Sequence, residues 1–122
     1  MIKTVTEQRE TLAAFLASYG TVLRAPVSDP IPPVIMIGNP SYLIDGRVAT
    51  VSWPISLIVA RTTAEDISKQ FDAWIEPIIG ELVKGVGLNF VVDAAAPRPT
   101  DPDFPVDLPA YVILGHTNIA LC

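Results

Sequence analysis

One segment, residues 48–83, limits what this chain can become more than any other. It opens as VATVSWPISLIVAR, passes through Thr62 and Thr63, and continues as AEDISKQFDAWIEPIIGELV. In the first half Val51, Trp53, Ile55, Leu57 and Val59 alternate onto one face, the spacing of a strand with one buried side. In the second half Ile67, Phe71, Trp74, Ile75, Ile78 and Leu82 fall on one helical face, while Lys69, Gln70, Asp72 and Glu76 face away. Thr62 with Glu65, or Thr63 with Asp66, supplies the helix cap. A strand that must bury one face, joined directly to a helix that must bury one stripe, predicts an α+β fold. Trp53 and Trp74 lie on these two apolar faces and are expected in the core. Pro54 implies an edge position or a bulge, and Pro77 implies a kink or restart of the helix.

The remaining elements follow from local signals. Thr4 and Glu7 have capping-box spacing, and Leu12, Phe15, Leu16 and Tyr19 make one stripe, predicting a helix over residues 5–19 with Gly20 as its C′ residue. RAPVSDPIPP holds four prolines and is expected as an extended connector. VIMIG, residues 34–38, is a short buried strand closed by Asn39-Pro40. Asp45-Gly46 predicts a hairpin turn between SYLI and RVATVSW. LNFVVDAAA and AYVILGHTNIAL are two further strands, and Gly85 and Gly87 end the second helix. The expectation is one domain over residues 1–122, with an antiparallel or mixed sheet of about four to five strands and two helices packed on it.

Between the last two strands lies PRPTDPDFPVDLP, in which five prolines stiffen a loop carrying Asp101, Asp103 and Asp107. Loops of that length in compact domains are usually functional or disordered. The acids echo a wider asymmetry. Residues 1–61 carry five cations against four acids, giving +1, whereas residues 62–122 carry three against nine, giving −6. No basic patch that would neutralise phosphates is visible, so ordinary nucleic-acid binding is not expected.

Apolar residues make up 50% of the chain and charged ones only 17%. For so small a body, with much surface to cover, that excess implies either a sheet covered on both faces or, as obligate interfaces resemble a core cut in half, burial against other subunits, which is the expectation favoured. No uninterrupted run of 18 apolar residues calls for a membrane span, and the opening MIKTVTEQRE does not resemble a signal peptide. The only cysteine, Cys122, is expected to be an incidental thiol in a reducing compartment.

Catalytic and ligating chemistry is sparse. His116, the only histidine, has no sequence-near nucleophile and is expected as a packed or rim residue. Asp101-Pro-Asp103 lacks the spacing and the closing Glu of a calcium loop, and Glu65-Asp66 is a helix N-terminal charge pair. The glycines of GELVKGVG end a helix and so do not form a phosphate cradle. Neither an enzyme nor a cofactor or metal protein is expected.

The layout resembles the tail terminator proteins of long-tailed phages, the family that includes the phage lambda terminator. The segments that carry it are the helix around residues 12–19, PPVIMIGNPSYLID, the run ATVSWPISLIVARTTAEDISKQFDAWIEPI and the closing AYVILGHTNIAL. The likeness covers nearly the whole chain as a pattern of elements, with no single diagnostic residue; the proline-rich loop at 97–109 departs from it. It implies a hexameric ring at the head-tail junction of a virion, assembled in the host cytoplasm. Its partners would be the tail tube protein and the head-side connector or stopper, with DNA passing through unbound. A head-tail stopper or completion protein, a tail tube protein and a small α+β ligand-binding domain are the other readings. Within a ring, the loop of Asp101, Asp103 and Asp107 would face either the lumen, repelling DNA, or a neighbouring protein.

Overall fold

The capping box forms as the spacing requires. In the computed structural model Thr4 accepts the Glu7 N–H through its hydroxyl at 3.2 Å, while the Glu7 carboxylate accepts the Thr4 N–H at 3.3 Å. The structure describes residues 4–24, 31–60, 62–84, 90–97 and 109–120. Helix α1 (Val5–Leu16) buries Gln8, Leu12, Ala13 and Leu16. It stops short of Tyr19 because its end tightens into an i→i+3 bond, Tyr19 N–H to the Leu16 carbonyl at 2.9 Å. Gly20 is therefore not the C′ residue; Ala17, in right-handed helical conformation, is the cap. Phe15 and Tyr19 still meet edge to face at 5.6 Å and pack on the core.

Six strands follow among the described residues: β1 (Val22–Leu23), β2 (Val34–Ile37), β3 (Ser41–Asp45), β4 (Val48–Ile58), β5 (Val91–Pro97) and β6 (Ala110–Ala120). They form one mixed sheet in the order β1-β2-β4-β6-β5, with β3 also paired to β4. The sixth strand, absent from the sequence expectation, is β1. It is two residues long and pairs in parallel with β2, Val22 opposite Ile35. The centre is the antiparallel pair β4–β6, in register from Val48↔Ala120 to Ile58↔Ala110.

The hairpin forms, but one residue later than the Asp-Gly signal suggests. Asp45 is still paired with Val48, so the central turn residues are Gly46 and Arg47. Gly46, at φ +64°, takes the left-handed conformation that the first position of a tight hairpin turn demands.

Pro54 marks neither an edge strand nor a bulge in its own strand, because β4 is central. Its carbonyl accepts the Gly38 N–H at 2.8 Å, so its backbone points to the side of β4 shared by β2 and β3. β2 pairs with residues 55–58 and β3 with residues 48–52. Pro54 falls in the gap between them, where a missing N–H breaks no ladder.

Helix α2 (Ala64–Leu82) is capped by Thr63, whose hydroxyl accepts the Asp66 N–H at 3.2 Å. It runs unbroken through Pro77. Pro77 and Ala73, whose carbonyl the proline leaves unmet, both lie on the exposed side, where water replaces the lost bond. The helix ends at Val83 in right-handed conformation; Gly85 and Gly87 lie outside the described residues.

Both helices cover one face of the sheet. There Val51, Trp53, Ile55 and Leu57 of β4 meet Ile35, Ile37 and Ile113, with Leu12 and Leu16 of α1 and Ile78 and Leu82 of α2 above them. Phe90 also joins, and it explains Gly115: a Cβ there would lie 2.1 Å from the Phe90 ring. Val34, Met36, Ile58 and Ala110 form a second cluster on the opposite face. Val59 is buried beyond the strand end, its N–H bonded to the Pro109 carbonyl at 3.1 Å.

The two tryptophans are not equivalent. Trp53 is fully buried, whereas Trp74 is only partly buried, with its ring over Gly20. Trp53→Ala is expected to cost about 3–5 kcal/mol in urea unfolding, the cost of emptying a large core site. Trp74→Ala should cost clearly less; equal losses would contradict this placement.

Candidate functional site

Three surfaces hold chemistry or exposed apolar area among the described residues. The first is the β3–β4 hairpin. β3 pairs only with β4 and is exposed along its whole length. Tyr42 is 51% exposed, Leu43 72%, Ile44 64% and Val48 48%. Successive strand residues point to opposite faces, so this run offers apolar side chains on both. The signal was present in the sequence as SYLID, where three consecutive apolar residues break the polar–apolar alternation of a strand with one solvated face.

The second surface lies on the sheet face away from the helices. His116 Nδ1 is 2.9 Å from both carboxylate oxygens of Asp93. A carboxylate only accepts, so Nδ1 carries the proton and donates it to Asp93. A bulge builds the contact: Val92 pairs with Gly115 and Ala94 with Leu114, leaving Asp93 as the extra residue, turned onto the face of His116. His116 is thus a rim histidine with a partner from a strand 23 positions away in sequence. No local pattern revealed that partner, because the pairing register and the bulge together create it.

Across β6 from Asp93, Ser52 stands opposite His116. Pro54 directs its backbone away from β6, and Ser52 shares its parity, so Ser52↔His116 is a non-hydrogen-bonded pair. Side chains in such pairs approach closely, with Cβ atoms about 4.5–5.5 Å apart. The row therefore contains a hydroxyl, an imidazole and a carboxylate. No hydrogen bond joins Ser52 to His116 among the described residues, and Val91 and Leu114 beside them are exposed. No group of three or more metal-ligating His, Cys, Asp or Glu side chains occurs among those residues.

The third surface is a groove of about 410 Å³ on the helix side, between α2 and the β5–β6 edge. Ile67, Phe71, Ile75, Pro97 and Tyr111 give it an apolar floor, with Phe71 and Tyr111 rings 5.5 Å apart. Asp72 and Glu76 stand on its rim. The cavity and the Ser52–His116–Asp93 row thus lie on opposite faces of the sheet.

Other sequence candidates resolve simply. Glu65 pairs with Lys69 at 3.3 Å and Asp66 closes the α2 cap, as a helix N-terminal charge pair does. Asp101, Asp103, Asp107 and Cys122 lie outside the described residues. Among those residues, no helix is long and apolar enough to cross a membrane. The chain matches no protein-family model and no curated protein.

The His116–Asp93 contact is at the surface, with Asp93 45% exposed, so it adds little to the fold. Asp93→Ala is expected to change the unfolding free energy by less than about 1 kcal/mol. A larger loss in chemical denaturation would make the pair a structural element of the bulge.

Proposed function

We propose that this protein is a structural virion subunit of the tail-terminator kind, forming a six-membered ring that caps the tail tube of a long-tailed phage and joins it to the head-side connector. The observation that carries the reading is the β3–β4 hairpin, whose apolar side chains stand in solvent on both faces of a strand that, among the described residues, pairs only with β4. An exposed apolar edge strand invites pairing or aggregation unless a partner covers it. The apolar excess of the composition then has a place to go. The α+β scaffold, with two helices on one side of a mixed sheet, accords with the family layout that the sequence resembles.

Separation of the groove from the serine, histidine and aspartate favours a non-enzymatic role. A catalytic hydroxyl needs its base within hydrogen-bond reach beside a place where substrate can sit. In the proposed ring the tail tube protein and the connector or stopper bind opposite sides, DNA passes without specific contacts, and no cofactor takes part. A stopper or tail tube protein would use the same kind of subunit surface. The acidic loop of Asp101, Asp103 and Asp107 serves as a contact with a neighbouring protein in preference to a lumen lining, since a stiff segment orders at low entropic cost.

Light scattering of the purified protein is expected to give a mass near six times the 13.1 kDa protomer. Deleting the protein from its phage should leave heads and tails that fail to join, or tails of uncontrolled length; normal infectious particles would refute the reading. Replacing Asp101, Asp103 and Asp107 together by asparagine should weaken partner association while the ring persists. An unchanged partner affinity would return the loop to the lumen or to solvent.

A further inference from the structure

Two of the surfaces above differ in kind and complement each other. At the hairpin apex stands Arg47, in the turn itself, and it makes no ion pair among the described residues. Behind it are the exposed apolar side chains of Tyr42, Leu43, Ile44 and Val48. The hairpin's one acid, Asp45, closes the turn opposite Val48, and Arg47 is the one charge within the turn itself. The groove beside α2 presents the converse: an apolar floor of Ile67, Phe71, Ile75 and Tyr111, with Asp72 and Glu76 on its rim. Those two carboxylates, four residues apart on one helical face, likewise make no ion pair among the described residues.

We infer that the β3–β4 hairpin of one copy docks in the groove beside α2 of the next copy, with Arg47 between Asp72 and Glu76. This rests on the ring reading and names the surfaces that would build it. Lengths agree: the helix stretch from Ile67 to Glu76 spans about 13 Å at 1.5 Å per residue. The five-residue β3 spans about 14 Å, four steps of 3.4 Å. The two surfaces lie at opposite ends of β4, the turn beside Val48 and the groove beside Leu57, which pairs with Tyr111, so a copy that docks its hairpin leaves its own groove to a third copy, and such a heterologous union closes as a ring when the rotation allows. A self-complementary patch would instead stop at a dimer. Opposite charges at the rim select the register, and the apolar contact supplies the attraction.

A charge-swap series measured by sedimentation and light scattering tests the assignment. Arg47→Glu alone, and Asp72→Arg with Glu76→Arg, should each weaken ring formation by about tenfold or more, through like-charge contact at the rim. Circular dichroism controls for folding, and all three positions are exposed, so the fold should survive. The combined Arg47→Glu, Asp72→Arg, Glu76→Arg protein should recover the ring, and so should an equimolar mixture of the two half-swapped proteins, because each hairpin then fits the groove of the other variant and the copies alternate. A wild-type ring indifferent to every swap would overturn this docking and leave the ring reading standing. Loss of the ring in all variants without recovery would also overturn it, since the surfaces would then not meet each other. Wild-type protein that stays monomeric at millimolar concentration would overturn the docking and count against the ring itself.

Discussion

Burying a tryptophan leaves an indole N–H that must find an acceptor away from water, and in this protein that requirement ties the layers together. Trp53, at the middle of β4, is fully buried, and its Nε1–H donates to the Gln8 Oε1 at 3.3 Å. The same oxygen accepts the hydroxyl of Thr117 on β6. Gln8 is itself only 2% exposed. One amide oxygen of α1 thus answers donors from both central strands, and an unmet donor at such depth costs about 1–3 kcal/mol. The bond sets where α1 lies on the sheet, and Arg9, one residue on, then reaches over the Trp53 ring at 5.5 Å. Arg9 also donates to the Arg24 carbonyl, and Arg24 pairs with Glu10 at 2.9 Å, which holds the segment leading out of β1 against the helix.

What the sequence made legible was local, and for a physical reason. The strand-into-helix run, the Thr4 and Thr63 caps and the existence of the hairpin each depend on residues within about four positions of one another. Period-2 spacing at 51–57 and the α2 stripe carry their burial pattern in the chain itself. Several of the failures lie at pairings between distant segments. β1 is too short to show a period and exists because β2 offers it an edge. Pro54 looked like an edge marker because a missing N–H usually is one; a single long strand sharing one side between two partners has a gap that serves as well. The helix survives Pro77 because the exposed side there lets water replace the lost bond.

The candidate site divides along the same line. The exposed hairpin was partly readable, since Tyr42, Leu43 and Ile44 run together without alternation, although the turn chemistry of Asp45-Gly46 pointed to the wrong pair of central residues and so hid Arg47 at the apex. His116 with Asp93 was unreadable, because an inserted residue in β5 turns the aspartate onto the histidine's face, and insertion of that kind leaves no trace in hydrophobic spacing. The groove belongs to neither α2 nor the sheet but to the angle between them, with Tyr111 and Pro97 contributed from strands paired across that edge.

β4 stays buried on its helix-facing side as far as Ala49, at 0% exposed, and Val48 on the other side, next to the turn, is 48% exposed, within one strand and one continuous ladder with β6. The hairpin that stands in solvent is therefore an extension of the same strand that carries Trp53, not a loop appended to it. The groove is anchored in the same way: Ile78 and Leu82 seat α2 in the common core, while its opposite half, around Phe71 and Ile75, forms the groove wall. Two complementary surfaces held to one core by a strand and a helix keep a constant angle between them. A constant angle is what a heterologous contact needs if successive copies are to close a ring instead of an open filament. It also means that little conformational freedom is lost on association, so a modest apolar contact with one charge cluster can suffice to hold each joint.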